Sequence, residues 1–298
     1  MKKVDTSTQA IGFIFAPMQY MMVQKCNFVI LNKKMKSRII GILCCSLIFL
    51  QSKSQDTLRK IAELPTSATS LSVDQFVNIF LVGKNNVEKY DKNGNFIARF
   101  ESFQYGKIGV ADVSNPMKIA VFFPDFLKVV FVDRFLAKIK EFDFFEAGYQ
   151  NISAIGASTD GYLWFYDPSD LCIKKIDETG QIIKSSQPLN LILNETINPN
   201  FIAEKNGQVY VNDSAKGIFI FDIFLTYKKT LPIHGLKSFQ HFQNKIVYFL
   251  DGKLVAYDLA FSEEETTKLP YTSAVSTVVI EKNRLFLLRE NKLEIYNH

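Results

Sequence analysis

Beyond residue 54 the chain is nearly free of cysteine, since only Cys172 of its four cysteines falls there. No disulfide can form within that part, and its stability must come from packing. Cys172 lies in an apolar, strand-like run and reads as a small buried hydrophobe rather than a nucleophile. Histidine is as scarce: His234, His241 and His298 are the whole set. The first two are seven residues apart, with no cysteine or carboxylate at ligand spacing, which sets aside a zinc site. No Gly-x-Ser-x-Gly segment occurs, so nothing marks a nucleophilic serine turn. Long apolar runs are missing too. The run from Ile39 to Leu50 spans twelve residues, against the roughly 20 that a helix needs to cross a bilayer.

What is present is a composition of 47% hydrophobic and 13% aromatic residues, enough to bury a large core and to exclude disordered and collagen-like classes. Its distribution is uneven. Five of the six methionines and three of the four cysteines lie before residue 51, so the first fifty residues are a different kind of segment. Within them Lys36 and Arg38 follow Met35, the apolar run Ile39 to Leu50 comes next, and Gln51-Ser-Lys-Ser-Gln55 closes the segment. Basic start, apolar centre and small residues at Ser52 and Ser54 are the order of a secretory signal cleaved before Gln55. Bulky residues precede Cys44 and Cys45, which disfavours a lipid anchor on either. Residues 35–54 are therefore expected to be a signal peptide, residues 1–34 a disordered upstream extension, and residues 55–298 the folded product, periplasmic or extracellular.

Charge follows the same division. The formal charge of +5 belongs to the first segment, because eight basic residues and one acidic residue precede Gln55 and the remainder carries 27 basic and 29 acidic residues. A nucleic-acid partner, which needs a basic footprint, has no support there.

Residues 55–298 consist of short runs rich in Val, Ile, Phe and Tyr broken by turn residues, an all-β pattern without a long amphipathic helix. The runs repeat. A strand opening at a turn recurs as Asn78–Val82, Lys118–Phe122, Gly161–Phe165, Gly207–Val211, Lys245–Phe249 and Arg284–Leu288, at intervals of 38 to 46 residues. A period near forty with several strands per unit indicates propeller blades. The next strand ends in an apolar residue and Asp at Tyr90-Asp91, Ile176-Asp177, Phe221-Asp222 and Tyr257-Asp258, with Phe142-Asp143 the nearest match in unit two. Asp91-Lys-Asn-Gly94 and Asp177-Glu-Thr-Gly180 read as one turn type, with Gly supplying positive φ and Asp bonding the turn backbone.

The last unit offers three strands, Val275–Lys282, Leu285–Glu290 and Lys292–Asn297, while Thr57–Leu64 is a spare strand before the first unit. An all-β, six-bladed propeller of four-stranded blades follows, with the N-terminal strand completing the last blade and hiding a sheet edge.

These blades, Asn78-Ile-Phe-Leu-Val and the stretch from Val87 to Phe100 above all, resemble the NHL and TolB-like six-bladed propeller superfamily. Ser158-Thr-Asp-Gly-Tyr-Leu-Trp164 is similar to the blade motif of sensor-type propellers. It departs from the sialidase Asp-box in spacing, since Gly161 directly follows Asp160. The resemblance covers most of residues 55–298 and implies a fold, not an activity.

Acidic residues recur in the loop after the second strand: Asp125, Asp167, Asp213 and Asp251. In propellers that loop shares a face with the inter-blade crossings, where ligands commonly bind. Asp is also a turn former, and capping of tight hairpins is the simpler account of all four. The sharper account is a ring of carboxylates holding calcium or a basic partner. Resemblance to calcium-dependent lactonase propellers would make the chain a hydrolase with its site in the central channel, but no residue here is matched to those ligands. Phe103, Tyr105, Phe144, Phe145 and Tyr149 fall in two crossings and read as wedges between blades. The leading expectation is a non-enzymatic, monomeric, exported propeller without a cofactor that binds a protein or envelope component, and the alternative is the metal-dependent hydrolase.

Overall fold

In a computed structural model, residues 58–297 are described; the upstream extension, the signal-like segment, Gln55 to Thr57 and His298 lie outside them. The described residues form twenty-four strands in six four-stranded antiparallel sheets, arranged as the blades of a six-bladed β-propeller. One five-residue helix, Leu189–Leu193, and a single 3-10 turn, Pro124–Phe126, interrupt the strands.

The blades follow from the runs. A propeller blade is covered on both faces by its neighbours, so its second strand buries nearly every position and reads as a continuous apolar run rather than an alternating one. Blade three shows this most fully, with all of Leu163–Asp167 and Cys172–Ile176 buried. Outer strands meet solvent and turn polar, as in Lys138–Asp143 and Glu264–Thr267. The six innermost strands are Ser70–Val73, Val110–Asp112, Ala154–Ala157, Phe201–Lys205, Gln240–Phe242 and Val275–Glu281.

Each second strand lies within two residues of the position read from the repeat, from Ile79–Val82 in blade one to Arg284–Arg289 in blade six. Blade two corrects one reading. Phe142-Asp143 ends the outer strand, and the match to Tyr90-Asp91 is Val132-Asp133, closing the third strand Lys128–Val132. The apolar run Lys128–Val132 follows the second strand after only four residues, Pro124–Leu127. Without a glycine between them, the two strands read as one long one.

In blade six the order from the outside inward is Arg59–Pro65, Lys292–Asn297, Arg284–Arg289 and Val275–Glu281. Arg59–Pro65 runs antiparallel to Lys292–Asn297, with Arg59 opposite Asn297 and Pro65 opposite Lys292. The buried carboxylate of Glu294 joins the two: the Nζ atoms of Lys60 and Lys292 each lie 3.1 Å from it, and the Tyr296 hydroxyl donates to it at 3.1 Å.

Six hydrophobic clusters fill the wedges between adjacent blades, one per wedge. Side-chain hydrogen bonds supplement them near the axis. The carboxylate of Asp112 in blade two accepts from the Ala157 N–H of blade three at 2.6 Å, and the Gln240 amide oxygen of blade five accepts from the Ile280 N–H of blade six at 3.0 Å.

Candidate functional site

The turns divide the molecule into two faces. Loops between second and third strands share the upper face with the inter-blade crossings, and the remaining turns form the lower face. The four acidic residues singled out from the sequence all stand on the upper face, one in each of blades two to five. Asp125 is exposed in the 3-10 turn and accepts from the Lys107 N–H at 3.2 Å. Asp167 is buried; it accepts from the Ser169 N–H at 3.0 Å and pairs with Lys174 Nζ at 2.7 Å. Burial works against the Lys174 charge, but its hydrogen bonds to Asp167 and Asp170 outweigh that and hold its pKa above the ordinary value. Asp213, also buried, accepts from the N–H groups of Ala215 at 2.8 Å and Asn198 at 2.7 Å. Asp251 is exposed, with φ 50°. Asp125, Asp167 and Asp213 are each bonded within their own hairpin or its adjoining crossing. Among the described residues no group of three or more His, Cys, Asp or Glu side chains is placed to hold a metal ion together.

The crossings separate the wedges from one another. Five of the six crossings run for seven residues or more and send apolar side chains down into the wedge they cover. Tyr105 and Ile108 enter between blades one and two, and Phe144, Tyr149 and Ile152 between two and three. Leu189 and Ile197 enter between three and four; Ile233, Leu236 and Phe239 between four and five; Leu269 and Tyr271 between five and six. The crossing from blade six to blade one is only Thr66-Ser-Ala-Thr69 and sends in nothing larger than Ala68. Over that wedge the upper face holds a groove of about 440 Å³.

Its walls are fixed before anything binds. The Thr66 N–H donates to the Asn291 carbonyl at 3.0 Å, the Ala68 N–H to the Thr66 hydroxyl at 3.0 Å, and the Thr69 N–H to the Val82 carbonyl at 2.8 Å. Ala68 and Leu81 give an apolar floor, while Ser67, Asn86, Asn291 and Glu88 supply polar groups. On the blade-one side the Asn86 side-chain oxygen folds over Gly83, 2.4 Å from where a Cβ would stand, so a larger residue there would turn that amide aside. Glu88 accepts from the Tyr90 hydroxyl at 2.8 Å, and burial followed by this hydrogen bond pushes the Tyr90 pKa up to about 12. Arg99 comes no nearer to Glu88 than 3.8 Å and instead donates to Glu101 at 2.7 Å. Among the described residues neither a cationic nor an aromatic side chain lines the groove.

The sequence gives no direct sign of this groove. Its signal is a shortage: four small or hydroxylated residues where other crossings carry Phe, Tyr, Leu or Ile. The aromatic crossing residues divide, with Tyr105, Phe144 and Tyr149 packed as wedges and Phe103 and Phe145 exposed. On the lower face Asp74-Gln-Phe-Val77, Asp133-Arg-Phe-Leu136 and Asp222-Ile-Phe-Leu225 repeat one turn, each with its Phe exposed. The sensor-like motif is structural. Glu204 of blade four accepts from the Ser158 hydroxyl and the Trp164 indole N–H at 2.5 Å each, and also from the Thr159 hydroxyl, pinning blade three to blade four.

No protein-family model matches the chain, and no curated protein matches it significantly. Solved structures do. Virginiamycin B lyase from Staphylococcus aureus is 12% identical with a TM-score of 0.58, over 80% of this chain and 98% of that one. BamB from Moraxella catarrhalis is 9% identical with a TM-score of 0.51, over 81% of this chain and all of that one. The Pan2 WD40 domain of Neurospora crassa is 10% identical with a TM-score of 0.53, over 80% and 95%. An enzyme stands among these neighbours beside propellers not named as enzymes, and at such identities the likeness is one of fold.

Proposed function

We propose that this chain is an exported, non-enzymatic binding module whose upper face holds a segment of a protein partner in the groove between blades six and one. The observation that carries this reading is the short crossing: in five of the six wedges the crossing adds apolar side chains to the packed core, and over the sixth a groove with fixed walls remains. A volume of about 440 Å³ falls within the range of ligand sites, and a preformed groove spares a ligand the ordering cost that weakens binding. Export is supported by Lys36 and Arg38 before the run Ile39 to Leu50. The binding reading requires no cofactor.

A photo-crosslinking residue placed at Ser67, and as a control at Asp251 on the same face, tests it in the cells that make the protein. Adducts are expected at position 67, lost when Ala68→Trp fills the groove, on a chain whose first residue by mass spectrometry is Gln55. Adducts indifferent to Ala68→Trp would overturn the groove as the site, and a chain retaining residues 35–54 would overturn export.

A further inference from the structure

Resting on that reading of the groove, we infer that it selects a segment carrying a lysine or arginine side chain, with Glu88 as the residue that determines the preference. Among the described residues, Glu88 is the one charged residue that lines the groove. An anionic ligand would meet this carboxylate and be repelled by it, whereas an ammonium or guanidinium would gain a charge-assisted hydrogen bond.

Glu88 has capacity to give. The Tyr90 hydroxyl occupies Oε2, while Oε1 has only Arg99 Nη1 at 3.8 Å, beyond hydrogen-bond distance. Arg99 is held elsewhere, its Nη2 on Glu101 at 2.7 Å. The side chain of Glu88 is 23% exposed, so its charge is partly shielded from water, and its ion pair with Arg99, at 3.8 Å, is too long to carry a hydrogen bond. Pro65 and Ala68 offer apolar surface for the methylene stem of a long basic side chain. Ser67, Asn86 and Asn291 bring hydroxyl and amide groups suited to a peptide backbone. The lack of an aromatic wall removes the stacking platform that a sugar ring or a quaternary ammonium would use.

Calorimetric titration of the full exported chain tests this with three acetylated, amidated pentapeptides, Gly-Ala-X-Ala-Gly, where X is lysine, its neutral near-isostere norleucine, or glutamate. The lysine peptide is expected to bind at least about tenfold more tightly than the norleucine peptide, a difference of about 1.4 kcal/mol, and the glutamate peptide not at all. Glu88→Gln is expected to erase the lysine preference in a chain that remains folded by circular dichroism. Equal binding of lysine and norleucine peptides, a preference that survives Glu88→Gln, or no binding of any peptide would overturn the inference. Binding that survives Ala68→Trp would instead overturn the groove itself.

Discussion

Leu136 sits at φ 62°, a left-handed backbone region that costs a leucine about 1–2 kcal/mol. It is held there because its side chain is buried in the wedge between blades one and two, a gain of about 2–3 kcal/mol that offsets the backbone cost. Leu225 and Val77 occupy the same place in their turns, at φ 65° and 67°. The two terms are separable by substitution. Leu136→Ala forfeits the burial and keeps the strain, whereas Leu136→Gly forfeits the burial and is released from the strain. Urea denaturation is expected to rank the glycine variant above the alanine variant by about 1 kcal/mol, the reverse of their usual order in regular structure. The usual order would show that burial alone accounts for the position. The same pair of terms explains what the sequence disclosed. The turns at Asp91 and Asp177 were legible because glycine marks positive φ in both, but the equivalents at Asp133 and Asp222 carry leucine there, a residue whose pattern signals strand. The acids on the upper face were legible as turn formers, and two of the four, Asp167 and Asp213, cap their own turns, while Asp125 bonds instead to the Lys107 N–H of the adjoining crossing.

Neighbouring blades are held in register by a few polar pins as well as by apolar wedges, and Glu204 is the one with most donors. Burial alone would raise its pKa, but the hydrogen bonds from Ser158, Thr159 and Trp164 more than reverse this, and its carboxyl titrates below the ordinary 4.5. A carboxyl whose pKa is depressed in the fold contributes stability that is present above the unfolded pKa and is lost as pH falls through the folded one. Glu204→Gln is therefore expected to cost about 1–3 kcal/mol at pH 7. Wild type and variant should converge as pH is lowered below about 4.5, because the depressed carboxylates elsewhere contribute equally to both. Urea midpoints that stay parallel across that range would remove Glu204 from the role. The blade repeat itself was legible from its second strands, whose burial on both faces leaves continuous apolar runs. The inter-blade pin was not, because Ser158 and Glu204 are 46 residues apart and nothing local links them. Blade two was misaligned for a related reason: its second and third strands meet at Pro124-Asp-Phe-Leu127, where Leu127 takes φ 49° without a glycine to announce the turn.

At the scale of the whole ring, the sixth blade is assembled from both ends of the described chain, Arg59–Pro65 outermost and then the three strands from Val275 to Asn297. Without Arg59–Pro65, the strand Lys292–Asn297 becomes an exposed edge and Glu294 loses the Lys60 ammonium. A chain beginning at Thr66, compared with one beginning at Gln55, is expected to melt lower by about 10 °C, corresponding to roughly 3–5 kcal/mol for a domain of this size. Its amides in Lys292–Asn297 should also lose hydrogen-exchange protection. An unchanged melting temperature would mean that the outermost strand adds nothing to the ring.

The four-residue crossing Thr66–Thr69 lies at this same joint, where the strand that starts the described chain hands over to blade one. Whatever lodges above it touches Asn291 on one side and Asn86 and Glu88 on the other, acting as a clasp across the seam. Occupancy and seam opening are then linked by mass action: a guest that fits the closed ring makes the ring harder to part, and strain that parts it lets the guest go.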